Sequence, residues 1–416
     1  MYGPCVPRAG WVKPQTDQRL SDHISIGVLT GVFPPELVDR VVAEAGRTEQ
    51  RQRLLPARVV VYYVLGLALF SQASYEEVMR MLVDGLSWQS GWQRPWQVPT
   101  KAALFQARKR LGVEPLRALF EQVAVPLATP ATAGAFYREW RLVSIDGTCL
   151  DVADTAANEQ AFGRPGSGRG TGAGAFPQVR LVGLAECGTH ALVRAAVGPQ
   201  SQSEQRLAGA VLDRLAPGML CLADRNFMTF ALYQRARATG AELLWRARTD
   251  RLLPALERHP DGSYRSAIYA NQNDQRARRD PLAVRVVEYQ IQDPARPDTD
   301  TRYRLLTTIL DPERAPADEL APLYAQRWEF ENTLDELKVH QRGPRLVLRS
   351  KLPDGVRQEA YAYLCVHYAI RWLMHAVAVE AGHDPDRLSF TRTLRAARRT
   401  TASHAGFSPS DTDRRP

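Results

Sequence analysis

The spacing of apolar residues divides the chain into a helical first part and a mixed second part. From about Ile24 to Leu127, apolar residues recur every three to four positions, and Pro35 marks a helix start. The run from Val59 to Phe70 is shorter than the ~20 residues that a membrane helix needs, so it predicts a buried helix. We expect an all-helical domain over residues 24–137, after an N-terminal extension at 1–23.

A helix-turn-helix pattern lies near the end of this first domain. Thr100 is a helix cap, Gly112 stops the helix that follows, and a second helix begins at about Glu114. Two interpretations of the first helix stay open: its basic side chains contact DNA, or they are solvated on the outer face of an ordinary helix pair. These side chains are Lys101, Arg108, Lys109 and Arg110.

From about Trp140 the apolar pattern becomes extended. It predicts a strand carrying Asp146, a hairpin that turns at Gly188, a helix, and a short buried strand that ends at Asp224. Two further strands follow near Val284 and Tyr303. The predicted order is therefore β-β-β-α-β followed by an inserted sheet.

Helices return after the inserted sheet. One helix is predicted from about Pro316 to Gln341, and a second, strongly apolar helix follows it. The tail after about Thr400 has no apolar periodicity and is predicted to be disordered. We therefore divide the α/β region into a first part at 138–240, a β-rich insertion at 241–315, a second part with C-terminal helices at 316–399, and a tail at 400–416.

Charge and cysteine content narrow the class of protein. Lys and Arg outnumber Asp and Glu by 54 to 45, a net charge of +9, which favours a polyanionic partner but does not choose between nucleic acid and a membrane surface. The five cysteines are scattered and contain no CxxC pair, which argues against a disulfide framework and a thiolate zinc site. Without an export signal or a membrane span, we expect a soluble cytoplasmic protein.

Two aspartates occupy similar places at apolar strands. Asp146 in "VSIDGTCLDV" interrupts a strand of apolar residues, which is costly unless the carboxylate binds a cation, accepts hydrogen bonds or lies at an exposed strand end. Alternatively, Asp146 begins a turn with Gly147. Asp224 repeats the arrangement directly after a buried run in "CLADRNF". Two such acids suggest a shared site.

A third motif, "YAQRWEFENTLDELK", has the spacing Y-x2-R-x3-E-x6-K. On an α-helix, offsets of three, four and seven return to the same face, so the four side chains are expected to point one way. The alternative is a solvated helix face with Glu–Lys pairs. The four residues are Tyr324, Arg327, Glu331 and Lys338.

Together these motifs resemble the DDE transposases of bacterial insertion sequences, specifically the insertion-sequence-four group with its YREK signature. The resemblance covers nearly the whole chain, with "SIDGT", "LADRNF" and the YREK helix in order. The first two acids are 78 residues apart, and the second gap, to Glu331, is 107. The resemblance implies a ribonuclease-H-like catalytic domain with a mostly β insertion, preceded by an all-helical N-terminal domain and followed by C-terminal helices.

The resemblance also implies the chemistry. Asp146, Asp224 and Glu331 would hold two Mg²⁺ ions, with Mn²⁺ as a substitute, for phosphodiester cleavage at the element ends. The freed 3′-OH would form a hairpin, which is reopened before insertion into target DNA. The implied partners are double-stranded DNA, as terminal inverted repeats and target, and a second copy of the chain in a dimeric synaptic complex. Neighbouring acids compete for the metal role, and Asp151 stays a possible substitute ligand.

Candidate DNA contacts surround these acids. Arg327 and Lys338 would bind backbone phosphates, and Tyr324 would position the phosphate. Trp328 and Trp245 are candidates to stack on an extruded base, although both residues also suit a protein core. A basic group after the catalytic helix would guide the DNA end: Arg342, Arg345, Arg349 and Lys351.

Two rival functions stay open at this point. One is a DNA-end-binding protein that derives from a transposase and has lost catalysis. The other is a ribonuclease-H-like nuclease that cuts without strand transfer. Inverted repeats that flank the gene would favour a working transposase over an end-binding protein. Joined DNA products would exclude a nuclease that cuts without strand transfer.

Overall fold

A computed structural model describes residues 27–50, 55–89, 99–166, 174–291, 301–343 and 347–402. The predicted N-terminal extension, Arg345 and residues 403–416 of the predicted tail lie outside these ranges.

Helices make up both ends of the described chain and also lie between its strands. They are α1 (Val28–Val32), α2 (Pro35–Glu44), α3 (Ala57–Leu69), α4 (Tyr75–Gln89), α5 (Lys101–Leu111), α6 (Glu114–Val123), α7 (Ala156–Phe162), α8 (Glu204–Val211), α9 (Phe230–Ala238), α10 (Gln272–Ala277), α11 (Ala317–Leu323), α12 (Trp328–Asp335), α13 (Pro353–Ala381) and α14 (Phe390–Ala402). Residues 400–402, which the sequence assigned to the tail, are thus helical.

The strands of the described chain form one mixed sheet. They are β1 (Phe136–Tyr137), β2 (Trp140–Asp151), β3 (Gln178–Glu186), β4 (Leu192–Pro199), β5 (Met219–Ala223), β6 (Glu242–Arg246), β7 (Glu257–Arg258), β8 (Tyr264–Ile268), β9 (Leu282–Ile291) and β10 (Thr301–Thr307). Their order is β4-β3-β2-β5-β6-β10-β9-β8-β7, with β1 beside β2. The predicted β-β-β-α-β order is present, with the unpredicted α7 between β2 and β3.

The centre of the sheet is parallel. β5 pairs with β2 on one side and with β6 on the other, both in parallel, whereas β3 and β4 form the antiparallel hairpin predicted around Gly188. Gly188 has φ +76°, which suits glycine in this turn. The parallel centre flanked by an antiparallel hairpin is the ribonuclease-H-like arrangement.

The insertion continues the central sheet. The sequence division placed residues 242–246 in the insertion, but β6 pairs in parallel with β5 and belongs to the centre. β10 then pairs with β6 and extends the sheet through β9 to β7. A run of five apolar-rich residues cannot reveal its strand neighbours, because pairing is a long-range property.

The N-terminal and C-terminal helices share a hydrophobic core. The uniformly apolar α3 is buried, as predicted, and packs against α13. The α13 helix also packs against α1 and α6. By length and composition α13 could cross a membrane, but 72% of its most apolar window is buried inside the protein. That burial is what a core helix shows.

The helix-turn-helix prediction is correct in its local geometry. Thr100 accepts a hydrogen bond from the Ala103 N–H, and Gly112 ends α5 with φ +71°. Lys101, Lys109 and Arg110 are exposed. Arg108, however, is turned inward, so this member of the basic set is neither solvated nor presented to DNA.

Candidate active site

The two aspartates lie side by side where the parallel pairing of β2 with β5 ends: Asp224 directly follows β5, and Asp146 lies within β2, which continues beside β3 to Asp151. Ile145 of β2 is in register with Ala223 of β5, so the next residue on each strand is an acid, Asp146 and Asp224. Their side chains are 21% and 24% exposed, which leaves both carboxylates reachable from one cleft. The edge formed by the carboxyl ends of parallel strands is the usual ligand-binding position of such sheets.

Glu331 reaches this edge from α12, which packs against β2. Arg327 connects the third acid to the first: its Nη1 donates to Asp146 Oδ2 at 3.1 Å, and its Nη2 donates to Glu331 Oε1 at 3.4 Å. Arg327 is only 7% exposed, whereas the Glu331 side chain is 45% exposed. Asp146 and Glu331 therefore belong to one charged cluster beside Asp224.

The electrostatics at Asp146 favour a bound cation. Burial raises the pKa of Asp146 to about 6, although the Gly147 N–H at 2.8 Å and the Arg327 guanidinium act in the opposite direction. Glu204 and Glu331 raise that pKa further through their negative charge. A group of partly buried carboxylates that repel one another is stabilised by a divalent ion.

Glu204 is an acid of this cleft that the sequence reasoning missed. It is the first residue of α8, behind the Ser203 cap. A Cβ built on Gly147 would lie 3.2 Å from Glu204 Oε1, so this carboxylate packs directly against the strand that carries Asp146. A serine cap followed by glutamate is common to surface helices, and only the tertiary structure assigns it to the site.

Tyr324 lies inside the protein rather than on the cleft surface. It is 6% exposed, and its hydroxyl donates to the Ala223 carbonyl at 3.2 Å. Ala223 immediately precedes Asp224. Tyr324 therefore positions the strand end that bears the second acid, which differs from the phosphate contact that the resemblance implied.

The signature segment is not the uniform α-helix that the spacing predicts. Tyr324–Arg327 is a 3-10 turn between α11 and α12, and Glu336–Gln341 is a π-helical turn. Tyr324, Arg327 and Glu331 still converge on the strand ends. Lys338 lies in the π turn and is half-buried. Each change in helical pitch rotates the residues that follow it, so the spacing alone does not fix the direction of Lys338.

An aromatic pocket adjoins the acids. Tyr289 and Tyr303 face each other on β9 and β10, with stacked rings 5.2 Å apart. Arg246 lies over the Tyr303 ring at 4.1 Å, and its Nη1 is 3.8 Å from Asp224 Oδ1. Trp328, 58% exposed, lines the same cavity, whose volume is about 320 Å³. Apart from the residues of the signature segment, the sequence did not predict this pocket, because Tyr289 and Tyr303 meet only through strand pairing.

Trp245, expected on the insertion as a base-stacking residue, is fully buried. It lies on β6, with its ring edge-on to Tyr233 at 5.3 Å. A ring enclosed by the core has no face to offer a base. The expectation failed because β6 is a central strand.

The basic group after the catalytic helix is also largely turned inward. Arg342 is 7% exposed, and burial lowers its pKa. Arg349 donates to the backbone carbonyls of Leu67 and Ala73. Lys351 is exposed. Burial removes Arg342 from the expected DNA path, and Arg349 serves the contact with the N-terminal helices.

The donor set suits a hard divalent ion. Asp146, Asp224 and Glu331 carry carboxylate oxygens on two neighbouring strands and one helix, the ligand type that Mg²⁺ and Mn²⁺ prefer. Asp151, the possible substitute, lies at the far end of β2, five residues from Asp146, and accepts a hydrogen bond from Gln178 at 2.8 Å.

Comparison with known proteins agrees with this geometry. Residues 23–121 match the insertion element 4 transposase N-terminal family, and residues 139–368 match the transposase DDE domain. The chain is 30% identical over 383 residues to the transposase InsG for insertion sequence element IS4 of Escherichia coli (strain K12), which covers 90% of this chain and 83% of InsG. A solved piggyBac transposase synaptic complex with hairpin DNA matches with a TM-score of 0.48 and 13% identity, over 91% of this chain and 80% of that one. The chain belongs to the insertion element 4 family of DDE transposases, enzymes that act on DNA with divalent metal ions.

Proposed function

We propose that this transposase works by cut-and-paste. It binds the terminal inverted repeats of its insertion sequence, cleaves them with Mg²⁺ held by Asp146, Asp224 and Glu331, and joins the 3′ ends to target DNA. The observation that carries the proposal is the in-register pair of aspartates, with Glu331 connected to the first of them through Arg327.

The three carboxylates would hold two Mg²⁺ ions, or Mn²⁺ in their place, which would supply an activated water and charge neutralisation at the phosphate. The carboxylates hold the site, and Tyr324 fixes the strand end before Asp224. Arg327 pairs with Asp146 and Glu331. Beside these acids its guanidinium fork would donate to a backbone phosphate. Lys338 adds a second positive charge along the DNA path.

The aromatic pocket suits a hairpin intermediate. A tight DNA hairpin at the transposon end displaces a base from the stack, and an extruded base gains about 1–3 kcal/mol on an aromatic ring. Trp328 presents an exposed ring beside Arg327, and the Tyr289–Tyr303 pair lines the adjoining wall. We assign the stacking role to Trp328, because the Tyr303 ring is already covered by Tyr289 and Arg246.

Cutting two ends together calls for two copies of the enzyme. We propose a homodimeric synaptic complex, in which each subunit holds one transposon end. Size-exclusion chromatography with light scattering, with and without end DNA, measures this directly. A complex that never contains more than one subunit, even with end DNA present, would contradict it.

The proposed function is tested with purified protein, DNA carrying the element's own ends, and Mg²⁺. We expect wild type to give end-specific nicks, hairpins and joined products on a denaturing gel. Glu331→Gln should bind the ends but not cut them. Asp335→Asn is the matched control, because Asp335 is an exposed acid on the same helix, and it should cut normally.

Each alternative function gives a different result. Wild type that binds the ends but never cuts them, in Mg²⁺ or Mn²⁺, would be an end-binding protein derived from a transposase. Cutting without joined products would identify a nuclease. Cutting by Glu331→Gln at the wild-type rate would refute the assignment of the third acid.

A further inference from the structure

A second cluster of possible metal ligands lies on the opposite side of the catalytic helix. It comprises His190, Glu329 and Asp386, whose ligand atoms all lie within 4.8 Å of one another. His190 is in the turn between β3 and β4, Glu329 is on α12, and Asp386 is in a 3-10 turn before α14. Glu329 is two residues from Glu331, about 200° around the helix, so the cluster is separate from the catalytic acids.

His190 points an unpartnered nitrogen into this cluster. Its side chain is 8% exposed, and its Nε2 has no hydrogen-bond partner among the described residues. Glu329 Oε2 is 3.7 Å and Asp386 Oδ1 is 3.6 Å from that nitrogen. A buried polar atom without a partner is costly, and here it faces two carboxylates.

These separations match a metal site. Ligands at the usual zinc distances of 2.0–2.2 Å lie about 3.4 Å apart around a tetrahedral ion. The two measured nitrogen–oxygen distances are within a few tenths of an ångström of that value. An imidazole with two carboxylates favours a transition-metal ion over Mg²⁺.

The other ring nitrogen of His190 faces the ion pair of Arg371 with Glu336. Its Nδ1 lies 3.6 Å from Glu336 Oε1 and contacts Arg371, which pairs with Glu336. Glu336 also contacts His367 at 3.1 Å. Metal binding through Nε2 requires the tautomer with its proton on Nδ1, for which Glu336 is the acceptor and Arg371, a donor only, is not. Glu336 is already paired with Arg371, whereas the ion pairs described for Glu329 and Asp386 involve His190.

We propose that His190, Glu329 and Asp386 bind a structural divalent transition-metal ion, with Zn²⁺ the best match. Its three ligands come from the β3–β4 turn, the catalytic helix and the C-terminal segment. The ion would therefore fasten α12 to the sheet and to the segment that leads into α14. Such a clamp would hold the helix that carries Glu331 without taking part in the reaction.

The experiment uses full-length protein in which Asp146→Asn, Asp224→Asn and Glu331→Gln remove the catalytic ligands. After dialysis against Zn²⁺ and removal of free metal, elemental analysis should find one zinc per chain. Adding His190→Gln or Asp386→Asn should abolish that zinc. His340→Gln is the matched control, because His340 is exposed, and it should retain the zinc.

Zinc should also raise the thermal midpoint of the background protein but not that of its Asp386→Asn derivative. Asp386 lies at the rim, with its side chain 37% exposed, so this variant should fold even if the His190 variant does not. The proposal would be overturned if the background protein bound no zinc, or if Asp386→Asn and His190→Gln left its zinc content unchanged. Cleavage by the wild-type enzyme is scored separately, so failure here leaves the proposed transposase function untouched.

Discussion

Replacing Arg108 by methionine tests whether this arginine stabilises the fold rather than binds DNA. Arg108 lies in the basic helix α5, but it donates to Gln358 Oε1 at 3.1 Å, Ser350 Oγ at 3.0 Å and the Gly355 carbonyl at 3.1 Å. It is also 3.7 Å from Glu359, which is 4% exposed. These contacts tie the N-terminal helices to α13 and the segment before it.

The expected loss follows from the partners left behind. Removing one member of a buried ion pair costs about 3–5 kcal/mol. Glu359 would keep hydrogen bonds from the Arg349 N–H and the Ser350 hydroxyl, so we expect the lower end, about 3 kcal/mol. Methionine preserves much of the aliphatic volume, which limits any cavity contribution.

Urea unfolding followed by tryptophan fluorescence and circular dichroism measures the change. With a denaturant slope of about 1–3 kcal/mol per molar urea, the midpoint of Arg108→Met should fall by roughly 1–3 M. Lys109→Met is the matched control, because Lys109 is the exposed neighbour, and its stability should change by less than about 0.5 kcal/mol. Equal midpoints for the two variants would refute the assignment of Arg108 to the helix contact.

Further predictions concern the cleft. Tyr324→Phe removes the hydrogen bond to the Ala223 carbonyl, worth about 0.5–1.5 kcal/mol, so single-turnover cleavage should fall roughly two- to tenfold while end binding in a gel-shift assay is unchanged. Trp328→Ala should reduce hairpin yield by the loss of about 1–3 kcal/mol of stacking, and Trp328→Phe should recover part of it; equal yields from all three proteins would exclude stacking. Gly147→Ala places a Cβ 3.2 Å from both Glu204 Oε1 and Val182 Cγ2, so a calorimetric melt should show a lower thermal midpoint than wild type, and an unchanged midpoint would contradict close packing at this glycine. Affinity for the ends should fall steeply with salt, because six phosphate contacts would lower it by about 10³-fold or more between about 50 and 200 mM salt. A flat salt profile would contradict phosphate binding.

Local patterns in the sequence predicted the elements and the three acids. The helix caps at Thr100 and Gly112 depend on neighbouring residues, and both are present. The positions of Asp146 and Asp224 at apolar runs are also local features, because an isolated acid in such a run is costly to bury. The YREK spacing identified Glu331 as the third candidate. The cap predictions succeeded because the interactions behind them span a few residues.

Tertiary structure decided where most of the surrounding side chains lie. Trp245 is in the core because β6 pairs with β5, and Arg108 is buried because α5 packs near α13. The Tyr289–Tyr303 pair and the meeting of His190 with Asp386 likewise join residues that are far apart in the chain. Hydrophobic periodicity predicts which residues are buried, but it does not predict which residues pack against them. Burial of a tryptophan or an arginine is therefore fixed by long-range packing, which composition and spacing along the chain do not encode.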